Sequence, residues 1–282
     1  RSGPTGPHAA MIRIVLPVAC FGMLLDFTTG ILQLMPPLVV TQFFGGANEV
    51  SLRMLRLARV AAIALPVLTL LYYGLVTRQV DVATRPASTL RSWGGRSLAA
   101  GAVGMPALLT LAGCTSLYLK YLLPLPAAAV TVGVMIAVSI AWQRGPGLER
   151  FGWVLVLASL SAGLTMGLFA FDGPFPAPAF LGEYNDGARR LVRLAHSYAI
   201  VFGMVSIFLA RTAPIRWRRL RRFGEATYKT GCVTTLVAMS LSVALREESW
   251  LLACGPVLVV AGCLACLAAS VHERQQQPSL RR

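Results

Sequence analysis

The 282-residue sequence is poor in charge and nearly without histidine: Asp, Glu, Lys and Arg make up only 13%, and there are three histidines. A soluble domain carries about a quarter charged residues, so water is excluded as the solvent for most of this surface. There is no Walker A loop, no Gly-x-Gly-x-x-Gly after a strand, no His-Glu-x-x-His and no Ser/His/Asp set. A catalytic role is therefore not expected. The six cysteines (Cys20, Cys114, Cys232, Cys254, Cys263, Cys266) all fall in or beside apolar runs, unlike a secreted disulfide framework, and read as small apolar residues. Cys263-x-x-Cys266 places two thiols one helical turn apart, short of the four ligands of a structural metal site. No metal is expected.

What is present is apolar length. Hydrophobic residues make up 56% and the mean hydropathy is +0.65. Runs long enough to cross a ~30 Å hydrocarbon core occur at about 14–37, 54–76, 98–119, 122–142, 152–172, 191–210, 230–246 and 249–271. The fold class expected is an all-α integral membrane protein of about eight transmembrane helices. The third and fourth runs, split near Lys120, and the last two, split at Arg246, Glu247 and Glu248, are expected to form tight helical hairpins. Residues 1–12 read as a flexible tail and 273–282 as a polar tail. The start at Arg1 fits a trimmed or processed chain, and the run after Arg13 is too long for a signal peptide.

The net charge of +15 sits in short loops between these runs, where it sets topology, so nucleic acid is not an expected partner. With the N-terminus inside, the inner segments hold 18 of 26 Lys and Arg, and the outer side six of eleven acids. Trp93, Trp142, Trp153 and Trp217 all fall near the inner interface. Both termini are accordingly expected in the cytoplasm, with the chain in the plasma (inner) membrane.

An internal repeat organises the chain. Residues 13–63 align with 150–200 without a gap, with 13 identities in 51 positions. The densest part sets FFGGANEVSLRMLRLARVAAI (43–63) against FLGEYNDGARRLVRLAHSYAI (180–200). At an offset of 130, Arg91/Arg221, Gly94/Gly224, Gly101/Gly231, Val103/Val233 and Pro126/Pro256 also match. Two tandem four-helix units, 13–147 and 148–272, follow. Four spans per copy make the copies parallel, unlike inverted transporter repeats. The plan is similar to that of haem A synthase, another duplicated four-helix bundle. That family's several histidines and Glu-x-x-His motif have no counterpart here, so the likeness is one of plan alone.

In the repeated outer motif, Gly45 and Gly182 are expected to make a turn, and Asn48 and Asn185 to cap the following helix. Glu49 and Asp186 then fall in its first turn. Arg53/Arg56 and Arg190/Arg193, spaced i, i+3, share a face at headgroup level and are candidates for lipid or partner contact. Arg216, Arg218 and Arg219 in the inner basic run are candidates for anionic lipid or a partner subunit.

Arg59 and His196 occupy the same repeat position, about two turns into a span, where ionisable groups usually face the bundle interior. Asp26 is the acid available to Arg59 for a buried ion pair; Gly163 stands at its place in the second copy. His196 reads first as a neutral, hydrogen-bonded core histidine, and secondly as a haem ligand, with Met166 the available second axial ligand. The leading expectation is a non-catalytic integral subunit of a larger membrane complex, in electron transfer or respiration, contacting lipids and other subunits. The alternatives are a small-molecule or ion transporter with parallel repeats, or a haem-binding membrane protein using His196.

Overall fold

The computed structural model of the protein describes residues 49–77, 85–169, 175–182, 186–212, 218–245 and 251–276. Every regular element among them is helical, with no strand. The α-helices are α1 (Glu49–Thr77), α2 (Arg85–Cys114), α3 (Pro124–Arg144), α4 (Gly147–Gly167), α5 (Gly187–Thr212), α6 (Arg218–Leu245) and α7 (Leu251–Gln276). Five stretches, one in each of α1 to α5, are long and apolar enough to cross a membrane, and α7 carries a shorter apolar run, Cys254–Ala268. The expected first span, 14–37, lies outside the described residues. In α6 four arginines, Glu225 and Lys229 fill the first half, and uncharged sequence begins only at Thr230. The large apolar side chains on the outward faces, such as Val257 at 66% and Leu264 at 61% exposure, have no place in water at this density. The chain is an α-helical membrane protein.

Helix boundaries depart from the apolar runs. The span expected from residue 98 begins at Arg85, and that expected to end at 172 ends at Gly167. Hydropathy marks the part of a helix in hydrocarbon, whereas hydrogen bonding carries α2 on past exposed Trp93, a residue suited to the headgroup layer. The break near Lys120 is a 3-10 turn, Leu117–Leu122. Pro124 then opens α3, at a position where a missing N–H is harmless.

The described residues form two compact units that divide between Ser139 and Ile140. In the first, α1 and α2 run antiparallel. Gly113 meets Ser51 and Leu55 at one end, and Gly94 and Gly95 meet Tyr72 and Tyr73 at the other. The Tyr72 hydroxyl donates to the Arg91 carbonyl at 2.8 Å. Helix α3 returns along α2, with Gly94 beside Ile136, Gly133 beside Leu98 and Gly101 beside Val130.

In the second unit α4 packs on α5, α5 on α6 and α6 on α7. The α6–α7 seam is built of small residues at heptad spacing. Gly224 faces Cys266, Tyr228 faces Gly262, Gly231 faces Val259 and Thr235 faces Gly255. Lipid tails are as apolar as leucine, so helices in hydrocarbon associate by close packing, which small residues permit. A methyl on Gly262 would lie 2.5 Å from the Tyr228 amide nitrogen, closer than van der Waals contact allows. The glycines let Tyr228, fully buried, reach across to α5 and donate to the Phe202 carbonyl at 2.8 Å. Leu148, Phe202, Leu209, Ala210, Tyr228, Cys232 and Cys266 form the core around it.

Gly262→Ala forces α6 and α7 apart and should lower stability by about 1–3 kcal/mol, the usual cost of overpacking. Gly167→Ala, where an added methyl meets nothing within 4 Å, should be neutral or up to about 1 kcal/mol stabilising. Thermal unfolding of the two variants in detergent measures the difference.

Candidate functional site

The α4–α5 seam begins with a glycine pair. A methyl on Gly152 would stand 2.6 Å from the Gly203 carbonyl oxygen, and one on Gly203 would stand 2.7 Å from that of Gly152. Seven residues along each helix, the same seam holds Ser159 and His196. The Ser159 hydroxyl donates to the His196 carbonyl at 2.7 Å. The His196 Nδ1 lies 2.8 Å from the Ser159 carbonyl oxygen and 2.9 Å from its Oγ. A carbonyl oxygen only accepts, and the serine hydrogen is already committed, so Nδ1 carries the ring hydrogen. The other nitrogen, Nε2, is then a bare lone pair. Gly163 makes room for the ring, because a methyl there would lie 2.6 Å from Cε1.

The ring borders a cleft of about 260 Å³ between α4, α5 and α6. Its walls include Ala158 and Ala162 on α4, Ala195 and Ala199 on α5, and Met239 and Ser240 on α6. Alanines at i, i+4 on two facing helices leave space that leucines would fill. Ser240 gives its own hydrogen to the Leu236 carbonyl at 2.9 Å. His196 is the tenth residue of α5, about 13 Å from its start at ~1.5 Å rise per residue.

Of the two residues expected to act together as ligands, His196 lies on this cleft and Met166, half-buried on α4, is not among its lining residues. The methionine that does line it is Met239, which sequence order hides because α6 follows α5 only after a basic segment. Arg59 is half-buried on α1, and its expected partner Asp26 lies outside the described residues. Arg53 and Arg193 are half-buried, and Arg56 and Arg190 exposed. Arg219 is exposed near the start of α6, Arg218 is the first residue of that helix, and Arg216 is outside the described residues. Cys263 and Cys266 are not joined in a disulfide and stand on the α7 side of the seam. No group of three or more potential metal ligands is found among the described residues.

Gly182 makes the expected turn, with φ +63°, in the left-handed region that favours glycine. Gly45, Asn48 and Asn185 lie outside the described residues. Asp186 directly precedes α5, and its carbonyl accepts the Arg190 amide at 2.9 Å, so it stands one place before the helical first turn expected for it.

One pair escaped the sequence reading. Arg211, in the last turn of α5, donates through Nη2 at 2.8 Å and Nε at 3.0 Å to Oε1 of Glu149, in the first turn of α4. The Glu149 side chain is only 3% exposed. The acid at a helix N-terminus and the base at a C-terminus also match the two helix dipoles. The available signal was an acid standing between Arg144 and Arg150, where two apolar runs are joined.

Comparison with known proteins gives no relative: no protein-family model, curated protein or solved structure is significantly similar to this chain.

Arg211→Met leaves the Glu149 carboxylate buried and unpaired, which should lower stability by about 3–5 kcal/mol. Adding Glu149→Gln removes the stranded charge and should restore part of the loss, as a double-mutant cycle followed by unfolding in detergent will show.

Proposed function

We propose that this chain is a non-catalytic integral membrane subunit of a larger membrane complex of the electron-transfer or respiratory kind. The observation that carries this reading is how the polar groups of the second unit are used. Glu149 holds Arg211, Tyr228 holds the Phe202 carbonyl, and Ser159 holds both the ring and the carbonyl of His196. Each of these contacts joins one helix to another, and the imidazole of His196 turns an open lone pair to an apolar cleft. Such a chain supplies scaffold and pocket to partners that carry reacting groups. Arg216, Arg218 and Arg219 on one side, and Arg53, Arg56, Arg190 and Arg193 on the other, supply contacts for lipid headgroups and partner subunits.

In this reading the protein is eight spans in two parallel units, 13–147 and 148–272, with both termini in the cytoplasm and the plasma membrane as its site. Two features support the duplication. Gly94 stands beside Ile136 and Gly224 beside Cys266, so both members of the contact are displaced by the same 130 positions. Gly163 touches the His196 ring, so the two positions that the alignment equates with Asp26 and Arg59 face each other. That contact supports an Asp26–Arg59 pair in the first unit.

The tagged full chain, extracted from its native membrane in mild detergent, should bring down partner proteins in fixed stoichiometry; isolation as a lone oligomer overturns the subunit reading. For the ion pair, Asp26→Asn should destabilise the protein by about 3–5 kcal/mol. Arg59→Met in the same background should recover part of that loss. Additive losses would separate the two residues.

A further inference from the structure

The cleft beside His196 has one polar feature whose sign is determined. Its Nδ1 hydrogen is held by Ser159, so Nε2 presents a lone pair and will take a hydrogen, not give one. Among the described residues no hydrogen bond reaches Nε2. An imidazole acceptor in this position repels anions and bare carbonyl oxygens, and the cleft's lining contains no carboxylate to hold an ammonium or a hard metal ion. A charged guest would lose its hydration without a counter-charge. What remains is a neutral hydrogen-bond donor, and a hydroxyl is the commonest such group on apolar molecules dissolved in a membrane.

The rest of the guest follows from the walls. Besides His196, Ser159 and Ser240, the lining residues are alanine, leucine, valine and methionine. Ala158, Ala162 and Ser240 are exposed, so the cleft is open at the surface of its unit. At about 260 Å³ it falls just below the ~300–1,000 Å³ of pockets that take drug-sized molecules. That space accepts one small ring or a chain end.

The repeat alignment sharpens the point. Phe21 and Leu25 stand where the second unit has Ala158 and Ala162, and Arg59 where it has His196. The open space and the neutral acceptor occur together in one copy.

We infer that this cleft binds the hydroxyl end of a neutral, apolar, membrane-dissolved molecule, with the His196 Nε2 lone pair accepting the hydroxyl hydrogen. The chemistry is shared by the headgroup of a membrane quinol and by a lipid alcohol such as diacylglycerol. An oxidised quinone, which offers only acceptors, is disfavoured by the same lone pair. The inference rests on the cleft and not on the subunit reading, and the two fail separately: a chain that keeps its partners but ignores these ligands loses only this inference.

The test uses the full chain with ¹⁵N-labelled histidine in phosphatidylcholine nanodiscs, titrated with a short-chain benzoquinol, its quinone, its dimethyl ether and a short-chain diacylglycerol. Before titration the His196 Nε2 resonance should be that of an unprotonated ring nitrogen. It should move on adding the quinol or the diacylglycerol, and whichever acts at lower concentration identifies the source. The quinone and the dimethyl ether should bind about tenfold more weakly, the worth of one hydrogen bond. His196→Phe should erase that discrimination. Ala195→Leu, which narrows the cleft and keeps the imidazole, should weaken every ligand about tenfold or more. The inference is overturned by an Nε2 that carries the hydrogen in the ligand-free protein, or by equal affinity for quinol and ether. It is equally overturned if neither hydroxyl compound binds, or if a Soret band in the purified protein disappears in His196→Ala.

Discussion

A helix in hydrocarbon gains no hydrophobic energy by exchanging lipid for a neighbouring helix of the same apolarity. Association then depends on how closely two backbones approach, and in this protein that approach is set by glycine. Along the α6–α7 seam the glycines recur every seventh residue on both helices, Gly224 and Gly231 against Gly255 and Gly262. A seven-residue repeat keeps the same stripe facing the partner. The stripe need not be polar, and its alternate positions carry the side chains that face those glycines, Tyr228 and Thr235 on α6 and Val259 and Cys266 on α7. Tyr228 lies over Gly262 and turns its hydroxyl to the Phe202 carbonyl, so one close contact between two helices positions a hydrogen bond to a third. The α4–α5 seam follows the same rule, with the Gly152–Gly203 contact one heptad from the Ser159–His196 pair. His196 is thus placed by packing.

Membrane class was legible because length and apolarity are properties of single segments, and hydrocarbon thickness sets a threshold that α1 to α5 pass individually. Gly182 was legible as a turn for a related reason, since its φ of +63° is a local demand on one residue. The seams were not. A glycine inside an apolar run costs helix stability and looks merely tolerated; its use appears only when the facing backbone is known. Nor was the Glu149–Arg211 pair. Both residues stand at helix ends, where charge is already accounted for by topology, and 62 positions separate them. Depth along the membrane could be estimated from sequence, which made Met166 a reasonable companion for His196. The direction in which a side chain points around the helix could not, and the cleft's third wall brings Met239 instead.

Several polar side chains of the second unit find inside the protein the partners that a solvent with no hydrogen bonds cannot offer. Ser206 and Thr235 return their hydroxyls to the carbonyls four residues earlier, at 2.7 and 2.8 Å. Glu149 is paired across helices. Ser159 is unusual in being used twice, as donor to the His196 carbonyl and as acceptor for its Nδ1 hydrogen. That double use determines which ring nitrogen is left open, and so converts an ambiguous residue into a defined acceptor.

Arginine and histidine at equivalent positions impose different demands on their surroundings. Arginine stays protonated at any physiological pH and inside a membrane needs a counter-charge, which the proposed repeat supplies in Asp26. Neutral histidine needs only a hydrogen-bond acceptor for one nitrogen, and a serine one helix away provides it. In the proposed repeat, Gly163 and His196 in place of a charged pair remove two charges and leave room beside the ring. With Ala158 and Ala162 in place of Phe21 and Leu25, that room extends into a cleft. In the proposed arrangement the first unit is closed by a charge pair and bulky side chains. The second keeps the same helix pairing, held by its glycines and by Glu149–Arg211, while its interior becomes free to receive a guest. The proposed duplication would separate two requirements that conflict in a single bundle, leaving one copy filled for stability while the other gives up packing to make a site.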